Sequence, residues 1–241
     1  QRESGVTPEV SRAVGMRFGG PDAHGLVGES IECWRLRSQL AQVAAGDENV
    51  LIVGPSGAGK ELVAQGLVRQ SPRRHGPLLS ENVATLPASL AAALLFGNRR
   101  NFPNPGMEER PGLIGQAEGG TLFLDEIGDL CEEVQPMLLR VMEHTGEYTR
   151  LGEEAQRRRA NVRFIAATNH VDRLRPELRR RFTQELKVPG LDERAEDVPL
   201  LLRHLLLRAT ERSPGHARFL ENGQPCVDPR LIDQLVRHSY A

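Results

Sequence analysis

The sequence is poor in cysteine, has no excess of charge and lacks long apolar runs. Cys33, Cys131 and Cys226 are the three cysteines among 241 residues, and their wide spacing, without a CxxC pair or nearby histidines, argues against a disulfide or a metal site. A net charge of −1 gives no general attraction to nucleic acid or membranes. No stretch is long enough to span a membrane, and no apolar signal region is present. We therefore expect a soluble, cytoplasmic protein with reduced thiols and no membrane partner.

The most informative segment is a glycine-rich run between a predicted strand and a predicted helix. The strand is Val50–Val53, and Glu61–Val68 has helical spacing. The run itself consists of Gly54, Pro55, Ser56, Gly57, Ala58, Gly59 and Lys60. Glycines let several backbone N–H groups face one concavity, the helix N-terminus adds partial positive charge, and the lysine reaches the outer phosphates. This pattern predicts a site for a nucleoside triphosphate.

A second segment supports this prediction. Gly119–Glu126 is an apolar strand that ends in two carboxylates, Asp125 and Glu126. In this layout the first carboxylate holds Mg²⁺ and the second polarises an attacking water. A buried strand with a capped exit turn would explain Asp125 alone, but not a neighbouring glutamate at the end of the strand where open α/β sheets bind ligands.

The pattern along the chain predicts three regions. Residues 1–24 contain Gly, Pro, Ser and Arg without periodicity and are expected to be a linker. Residues 25–190 alternate strands and helices, which predicts an α/β core with a five-stranded parallel sheet and helices on both faces. Residues 191–241 contain a helical pattern over Glu196–Arg212 and a helix that opens at Asp228–Pro229, and we interpret them as a partial helical lid. The expected core strands are Val50–Val53, Leu78–Ser80, Thr121–Leu124, Val162–Ala167 and Glu185–Val188.

In their order and spacing, several segments resemble the AAA+ ATPase domain of the sigma-54-dependent, NtrC-like transcription activators of bacteria. The resemblance covers about Leu26–Ala241. It includes Glu61, where most phosphate-binding loops have the Ser or Thr that touches Mg²⁺ and where this family has Glu. The other matching segments are Val27–Ser30, Leu86–Pro87, Leu95–Gly97, Gly119–Asp129, Leu138–Val141, Val162–Asn169 and Leu191–Val198.

The resemblance implies that ATP and Mg²⁺ are the cofactors. Lys60 is similar to the phosphate-binding lysine, Asp125 to the Mg²⁺ ligand and Glu126 to the base that orients water. Val27 and Gly28 match the opening of the family and are expected to contact the nucleotide together with the glycine-rich run.

Two asparagines match polar positions of the family. Asn82 resembles the asparagine that holds the catalytic glutamate away until the ring is assembled, although an Asx turn at the strand exit would also explain it. Thr168–Asn169 matches the polar sensor after the fourth strand, and Asn is also an ordinary turn residue there.

The basic stretch Arg173–Phe182 is expected to supply arginines to a neighbouring subunit. Arg175 and Arg181 match the two finger positions of the family, where a guanidinium neutralises charge on the neighbour's γ-phosphate. Some of these arginines, and Arg157–Arg159, are also explained as a solvated basic face.

The sequence departs from the family in its output loops. The GAFTGA loop that contacts sigma-54 reads Asn101–Gly106 here, with Pro103, Pro105 and an early Phe102 that we expect to be exposed. We interpret the loop either as a new contact surface or as a loop that has drifted after losing sigma-54. The stretch from Asn169 to Arg175 is shorter than in the family, and we expect this to alter the second moving loop.

The sequence therefore predicts an ATP-binding and ATP-hydrolysing AAA+ domain of a bacterial transcription regulator, with sigma-54 coupling lost or altered. The resemblance implies self-association into a ring, a hexamer, and DNA binding only through a domain outside this chain. Two alternatives remain: a nucleotide-gated interaction module with little hydrolysis, and a AAA+ remodeller of another protein.

Overall fold

The computed structural model describes residues 18–84, 86–102, 104–153 and 156–240. Most of the expected linker, residues 1–17, lies outside these ranges, as do Pro103 and Ala241. All three cysteines are free thiols. None of the helices in the described ranges has the length and apolar character that a membrane crossing needs.

The centre of the molecule is a parallel sheet of five strands. They are β1 (Val50–Val53), β2 (Leu78–Asn82), β3 (Thr121–Asp125), β6 (Arg163–Thr168) and β7 (Gln184–Lys187), and their order in the sheet is β2-β3-β6-β1-β7. This confirms the predicted fold class, and the strands occur where the apolar runs predicted them, with bounds shifted by at most two residues. Two short antiparallel pairs lie outside the sheet: β4 (Glu147–Tyr148) with β5 (Arg158–Arg159), and β8 (Leu220–Glu221) with β9 (Gln224–Pro225).

Helices cover both faces of the sheet, because successive strand residues point apolar side chains to opposite sides. The helices are α1 (Ile31–Ala44), α2 (Lys60–Arg69), α3 (Ala88–Phe96), α4 (Gly112–Gln116), α5 (Gln135–Val141), α6 (Pro176–Arg179), α7 (Val198–Arg212) and α8 (Pro229–Arg237).

Each face of the sheet has its own apolar cluster. On one face, α1 and α2 pack Leu40 and Leu67 against Ile52 and Ile165. On the other, α3, α4 and α5 bury Leu95, Ile114 and Leu138 with Leu122 and Phe164.

The ordered domain begins before the boundary expected at residue 25. Asp22 is buried and forms an ion pair with the Nε of Arg37 on α1 at 2.9 Å. The other Asp22 oxygen accepts the N–H groups of His24 and Leu26. The part of the expected linker around Asp22 thus contacts α1. A polar Gly- and Pro-containing sequence does not reveal a buried carboxylate whose partner lies 15 positions away.

The C-terminal segment consists of α7, the β8–β9 hairpin and α8. Asp228 caps α8 by accepting the N–H of Arg230 at 2.8 Å, and Pro229 occupies the first helical position, as the sequence predicted. Leu205 and Leu231 remain exposed.

One carboxylate, Asp197, attaches this segment to the core. It lies just before α7, is 1% exposed and reaches the N-terminus of α1. Its oxygens accept the N–H groups of Glu29 (2.6 Å) and Ser30 (2.9 Å), the Ser30 hydroxyl (2.6 Å) and the Cys33 thiol (3.1 Å). Burial by itself would raise the pKa of Asp197, but these hydrogen bonds outweigh it and lower the pKa below its ordinary value.

The lowered pKa predicts an acid-dependent contribution of Asp197 to stability. A carboxyl with a lower pKa in the folded than in the unfolded chain stabilises the fold above its unfolded pKa, about 3.9, and this contribution is lost as the pH falls through the folded pKa. In Asp197→Asn, an amide N–H₂ group faces donors, so the free energy of unfolding at pH 7 should fall by about 1–3 kcal/mol. Denaturant unfolding from pH 7 to pH 2 should also show a weaker loss of stability below about pH 4.

The matched control for this measurement is Asp233→Asn. It removes the same charge from an exposed position on α8, where Asp233 pairs only with Arg237. An Asp197→Asn protein with the stability and acid slope of the unchanged chain would contradict the assigned role.

Candidate nucleotide-binding site

The parallel sheet brings the predicted site residues to one edge. The glycine-rich run follows β1, Asn82 and Asp125 end β2 and β3, and Asn169 follows β6. The register pairs Val53 with Thr168 and Asn82 with Asp125. Residues from four distant parts of the sequence therefore meet where open α/β sheets bind ligands.

The glycine-rich run forms an open loop that leads into α2. Gly57 and Gly59 have φ values of 73° and 99°, a backbone conformation that residues other than glycine rarely adopt. A Cβ on either residue would meet nothing within 4 Å. Lys60, the first residue of α2, is 6% exposed, and its Nζ donates to the carbonyls of Gly54 (3.0 Å) and Pro55 (3.1 Å). The loop thus offers an unobstructed concave face with one buried ammonium beside it, which fits a phosphate group.

Glu126 is held in a conformation that is unusual for its residue type. Its φ of 52° and ψ of 45° are left-handed, and such a backbone costs energy in a non-glycine residue. Its Oε1 lies 3.5 Å from Lys60 Nζ, and its Oε2 accepts the N–H of Asn169 at 3.3 Å. The strained turn therefore places the carboxylate between the loop lysine and the end of β6.

Asp125 faces the other side of the strand exit. One of its oxygens accepts the N–H of Glu126 at 3.1 Å, and the other lies 3.4 Å from the Asn82 amide nitrogen. The Asn82 side chain thus contacts Asp125 and not Glu126, and its oxygen also accepts the N–H of Ala84 at 3.0 Å. That second bond is the Asx turn that the sequence left open as the simpler explanation.

Val27 and Gly28 lie between α1 and the segment Asp192–Asp197. Val27 is buried, and Gly28 has a φ of 144°. A Cβ on Gly28 would lie 2.5 Å from an Asp197 oxygen, so only glycine fits there. Glu61, on the first turn of α2, is exposed and accepts a bond from Gln65 at 3.3 Å.

The two candidate finger arginines do not join the other site residues. Arg175 precedes α6 and lies 3.9 Å from Glu132, and Arg181 follows α6 and lies 3.5 Å from Glu143. Both side chains are exposed, and within the described ranges neither bonds to Lys60, Asp125 or Glu126. Their guanidinium groups are therefore available to another molecule and not to the site of their own chain.

The loop between residues 98 and 110 is braced at its base. Asn98 is 1% exposed, and its side-chain amide donates to the carbonyls of Arg99 (3.0 Å), Phe102 (3.2 Å) and Glu108 (3.0 Å). The backbones of Asn98 and Arg110 exchange two hydrogen bonds of 3.0 Å. At the tip, Asn101 has a φ of 61°, and its oxygen accepts the N–H of Gly106 at 2.9 Å.

The expectation that Phe102 is exposed was wrong. Its side chain is half-buried, and a Cβ on Gly152 would lie 2.6 Å from its ring. Gly152 lies beyond β4, and the backbone of Arg99 donates to Leu151 at 3.1 Å. Phe102 therefore closes down on the segment between β4 and β5, since a glycine there leaves room for the ring.

Residues 150–152 pack against the 98–110 loop and precede β6, whereas the shortened stretch follows β6. The expectation that the shortened stretch alters a second moving loop stays a prediction. An ion pair between Arg150 and Glu109 joins the same two segments.

The described residues contain no cluster of three or more His, Cys, Asp or Glu side chains suited to a metal ion. Mg²⁺, however, is usually held by one or two carboxylates together with substrate phosphates. The Asp125 carboxylate beside an open phosphate-sized loop fits that donor set.

Two residues near the site, Arg194 and Asp197, lie in a stretch that resembled the family, but no role was assigned to them. Their partners lie more than 100 positions away and leave no local pattern, so a single sequence offers no signal for them. Asn98, at the base of the 98–110 loop, also had no assigned role.

Comparisons with known proteins agree with this geometry. The profile of the family described as "Sigma-54 interaction domain" matches residues 26–187. The Nif-specific regulatory protein of Azotobacter vinelandii is 35% identical over 93% of this chain and 47% of its own length. The regulator NtrC of Azospirillum brasilense is 38% identical over 89% of this chain and 44% of its own length. The chain thus spans about half the length of the curated relatives it matches.

Solved structures show the same likeness. The crystal structure of NtrX from Brucella abortus has a TM-score of 0.76 and 31% identity, over 89% of this chain and 48% of that one. The structure of the same protein in complex with ATP also has a TM-score of 0.76, at 30% identity, over 89% of this chain and 46% of that one. With the family profile matching well over half of its residues, this chain belongs to the sigma-54 interaction domain family of bacterial transcription regulators.

Proposed function

We propose that this chain binds ATP with Mg²⁺ and hydrolyses it, as the AAA+ domain of a transcription regulator. The observation that carries the proposal is the position of Glu126, held by a strained turn between Lys60 and the N–H of Asn169. The NtrX structure with bound ATP supports the choice of nucleotide.

Each residue of the edge has a defined task in this proposal. The N–H groups of residues 56–60 and the Lys60 ammonium receive the phosphates. Asp125 holds Mg²⁺, which supplies charge neutralisation at the phosphates when bound. Glu126 accepts a proton from the attacking water, and the N–H of Asn169 keeps its carboxylate aimed at that water. Val27 and Gly28 flank the nucleotide on the side of α1.

Asn82 acts on the two carboxylates, Asp125 and Glu126, through its contact with Asp125. Its amide contacts the Asp125 carboxylate, one residue before the base. The family role, in which the asparagine holds the glutamate away, requires the Asn82 amide to leave Asp125 and turn toward Glu126.

Arg181 and Arg175 complete the site of a neighbouring subunit in a ring, a hexamer by resemblance to the family. A guanidinium that arrives from outside makes hydrolysis depend on assembly. Leaving Glu143 or Glu132 costs little, because exposed ion pairs contribute only about 0–1 kcal/mol.

Substitution of the lysine and the glutamate tests the proposal. Lys60→Ala should abolish measurable ATP binding, because it removes the cationic side chain of the loop, whereas Glu126→Gln should keep binding and lower kcat by about 10²–10⁴-fold. Calorimetric titration with Mg-ATP and steady-state turnover measure the two effects. The control is Lys187→Ala, an exposed lysine paired with Glu193. Unchanged affinity in Lys60→Ala would refute the site, and equal loss of binding and turnover in Glu126→Gln would make Glu126 structural.

Assembly dependence tests the arginine. Turnover per subunit of the full-length protein should rise with protein concentration, and Arg181→Ala should lower it about 10³-fold or more with little change in nucleotide affinity. Arg179→Ala is the matched control, since Arg179 is equally exposed and pairs with Glu185 at 3.0 Å. Activity that is independent of concentration in the dilute range would contradict an arginine supplied in trans.

A second candidate function is a domain that does not couple to sigma-54. It would be either a nucleotide-gated interaction module with little hydrolysis or a AAA+ remodeller of another protein. The observation that favours it is the braced 98–110 loop, whose one aromatic residue, Phe102, packs on Gly152 and not outward. Binding of DNA would then depend on a domain outside this chain.

Co-sedimentation separates the two functions. In the presence of ADP-aluminium fluoride, the full-length protein should fail to capture sigma-54 holoenzyme, because Phe102 is not available for contact. A variant in which residues 101–106 read GAFTGA serves as the comparison and should recover part of the binding if the loop sequence alone is responsible. Capture of sigma-54 by the unmodified protein would show that coupling is retained.

A further inference from the structure

A buried arginine links the C-terminal segment to the phosphate-binding loop. Arg194 lies in the stretch Asp192–Asp197, is 7% exposed and has a non-helical φ of −141° and ψ of 45°. Its backbone thus leaves the helical path at the point where its side chain turns into the protein.

The guanidinium of Arg194 contacts the loop directly. Its Nη2 donates to the carbonyl of Ala58 at 3.1 Å, and its Nη1 donates to the Cys33 sulfur at 3.3 Å. Its Nε is buried and has no partner within the described ranges. Within the described ranges, the hydrogen bond of this buried cation to a protein oxygen is therefore the one to the phosphate-binding loop.

Ala58 lies in a part of the loop where the backbone has wide conformational freedom. It lies between Gly57 and Gly59, both with positive φ, and glycines give the backbone wide freedom. The N–H of Ala58 donates to Pro55 at 3.3 Å, so the loop itself holds only one end of this peptide region. A carbonyl fixed on the outer side directs the following N–H toward the inner side, because the two groups of a peptide unit point in opposite directions.

The neighbouring contacts keep Arg194 in place. Asp197, three residues later, is bonded to Glu29, Ser30 and Cys33 at the start of α1. The Cys33 sulfur thus receives the guanidinium from one side and gives its proton to Asp197 on the other. Burial raises the pKa of Cys33, so the sulfur is present as the thiol that this arrangement requires.

We propose that Arg194 is a positioning residue for nucleotide binding. It holds the carbonyl of Ala58 outward, so that the N–H groups of the loop face the phosphates before the nucleotide arrives. This inference rests on the proposed ATP function. Arg194→Met removes the guanidinium and keeps an unbranched side chain, so it separates the bond to the Ala58 carbonyl from the packing of the side chain.

The experiment compares Arg194→Met with Arg203→Met. Arg203 lies exposed on α7 and bonds to Gln224, so its variant makes the same chemical change away from the loop. In the full-length protein, Arg194→Met should raise the Kd for Mg-ATP and the KM about tenfold and leave kcat within about twofold, and Arg194→Lys should restore part of the affinity. Arg203→Met should change neither. Amide hydrogen exchange of residues 56–60 in the nucleotide-free protein should be faster in Arg194→Met alone.

A folded Arg194→Met protein with unchanged Kd and unchanged exchange would overturn the proposal. If Arg194→Met does not fold, Arg194→Lys decides: a Kd at least threefold higher at an unchanged thermal midpoint supports the proposal, and an unchanged Kd overturns it. If the unmodified protein binds no ATP, the proposed function fails, but the exchange measurement still decides the role of Arg194. Faster exchange in the loop then supports that role, and equal exchange refutes it.

Discussion

The parallel pairing of β1, β6 and β3 is the constraint on which the rest of the structure depends. In a parallel sheet, all strands end on the same side, so the backbone groups and side chains that follow them are forced together. Because β6 lies between β1 and β3, Asn169 stands between the loop after β1 and the carboxylates after β3. Together with the left-handed turn at Glu126, this order explains how Glu126 reaches Lys60 and the N–H of Asn169 at once.

The sequence was sufficient for the features that short segments encode. The strand Val50–Val53, the glycine-rich run and the capped start of α8 at Asp228 are local patterns, in which neighbouring residues decide the conformation. The same holds for the two carboxylates after β3, whose position at a strand end was readable. Which partner each of the two carboxylates contacts could not be predicted, since Asn82 and Asp125 come together only through strand pairing.

The features that escaped prediction are polar contacts between distant residues. Asp197 and Ser30 are 167 positions apart, and Arg194 reaches Ala58 across 136 positions. Phe102 is a different case. Its half-buried position depends on the absence of a side chain at Gly152, and an apolar residue in a proline-containing loop carries no sign of that. Composition predicted an exposed aromatic because it describes the loop alone and not the surface on which the loop lies.

Buried charges hold the segment before α1 and the segment before α7 to the core. Asp22 with Arg37 fixes the segment before α1, and Asp197 fixes the segment before α7. Apolar contacts would stabilise these junctions equally well but would tolerate sliding, whereas a carboxylate that accepts several directed bonds has one position. Both carboxylates help to fix the backbone at Gly28. Arg37, the partner of Asp22, also donates to the carbonyl of Gly28 at 2.8 Å, and Asp197 packs on the Cα of that glycine. The backbone at Gly28 is therefore fixed from two sides by buried charged groups.

The chain also provides a short covalent route from the site to the braced loop. Asn82 contacts Asp125, its Asx turn leads toward α3, and α3 ends at Gly97, directly before Asn98. Gly97 and Gly112 are so close that a Cβ on Gly112 would lie 2.3 Å from the nitrogen of Gly97. Any displacement of α3 must then carry Asn98 with it. The Asn98 side chain is hydrogen-bonded across the loop to the carbonyl of Glu108. The backbones of its two neighbours, Gly97 and Arg99, are hydrogen-bonded to the backbone of Leu151. Because these hydrogen bonds join the base of the loop to Leu151, the end of α3, the loop and the segment after β4 form one hydrogen-bonded surface.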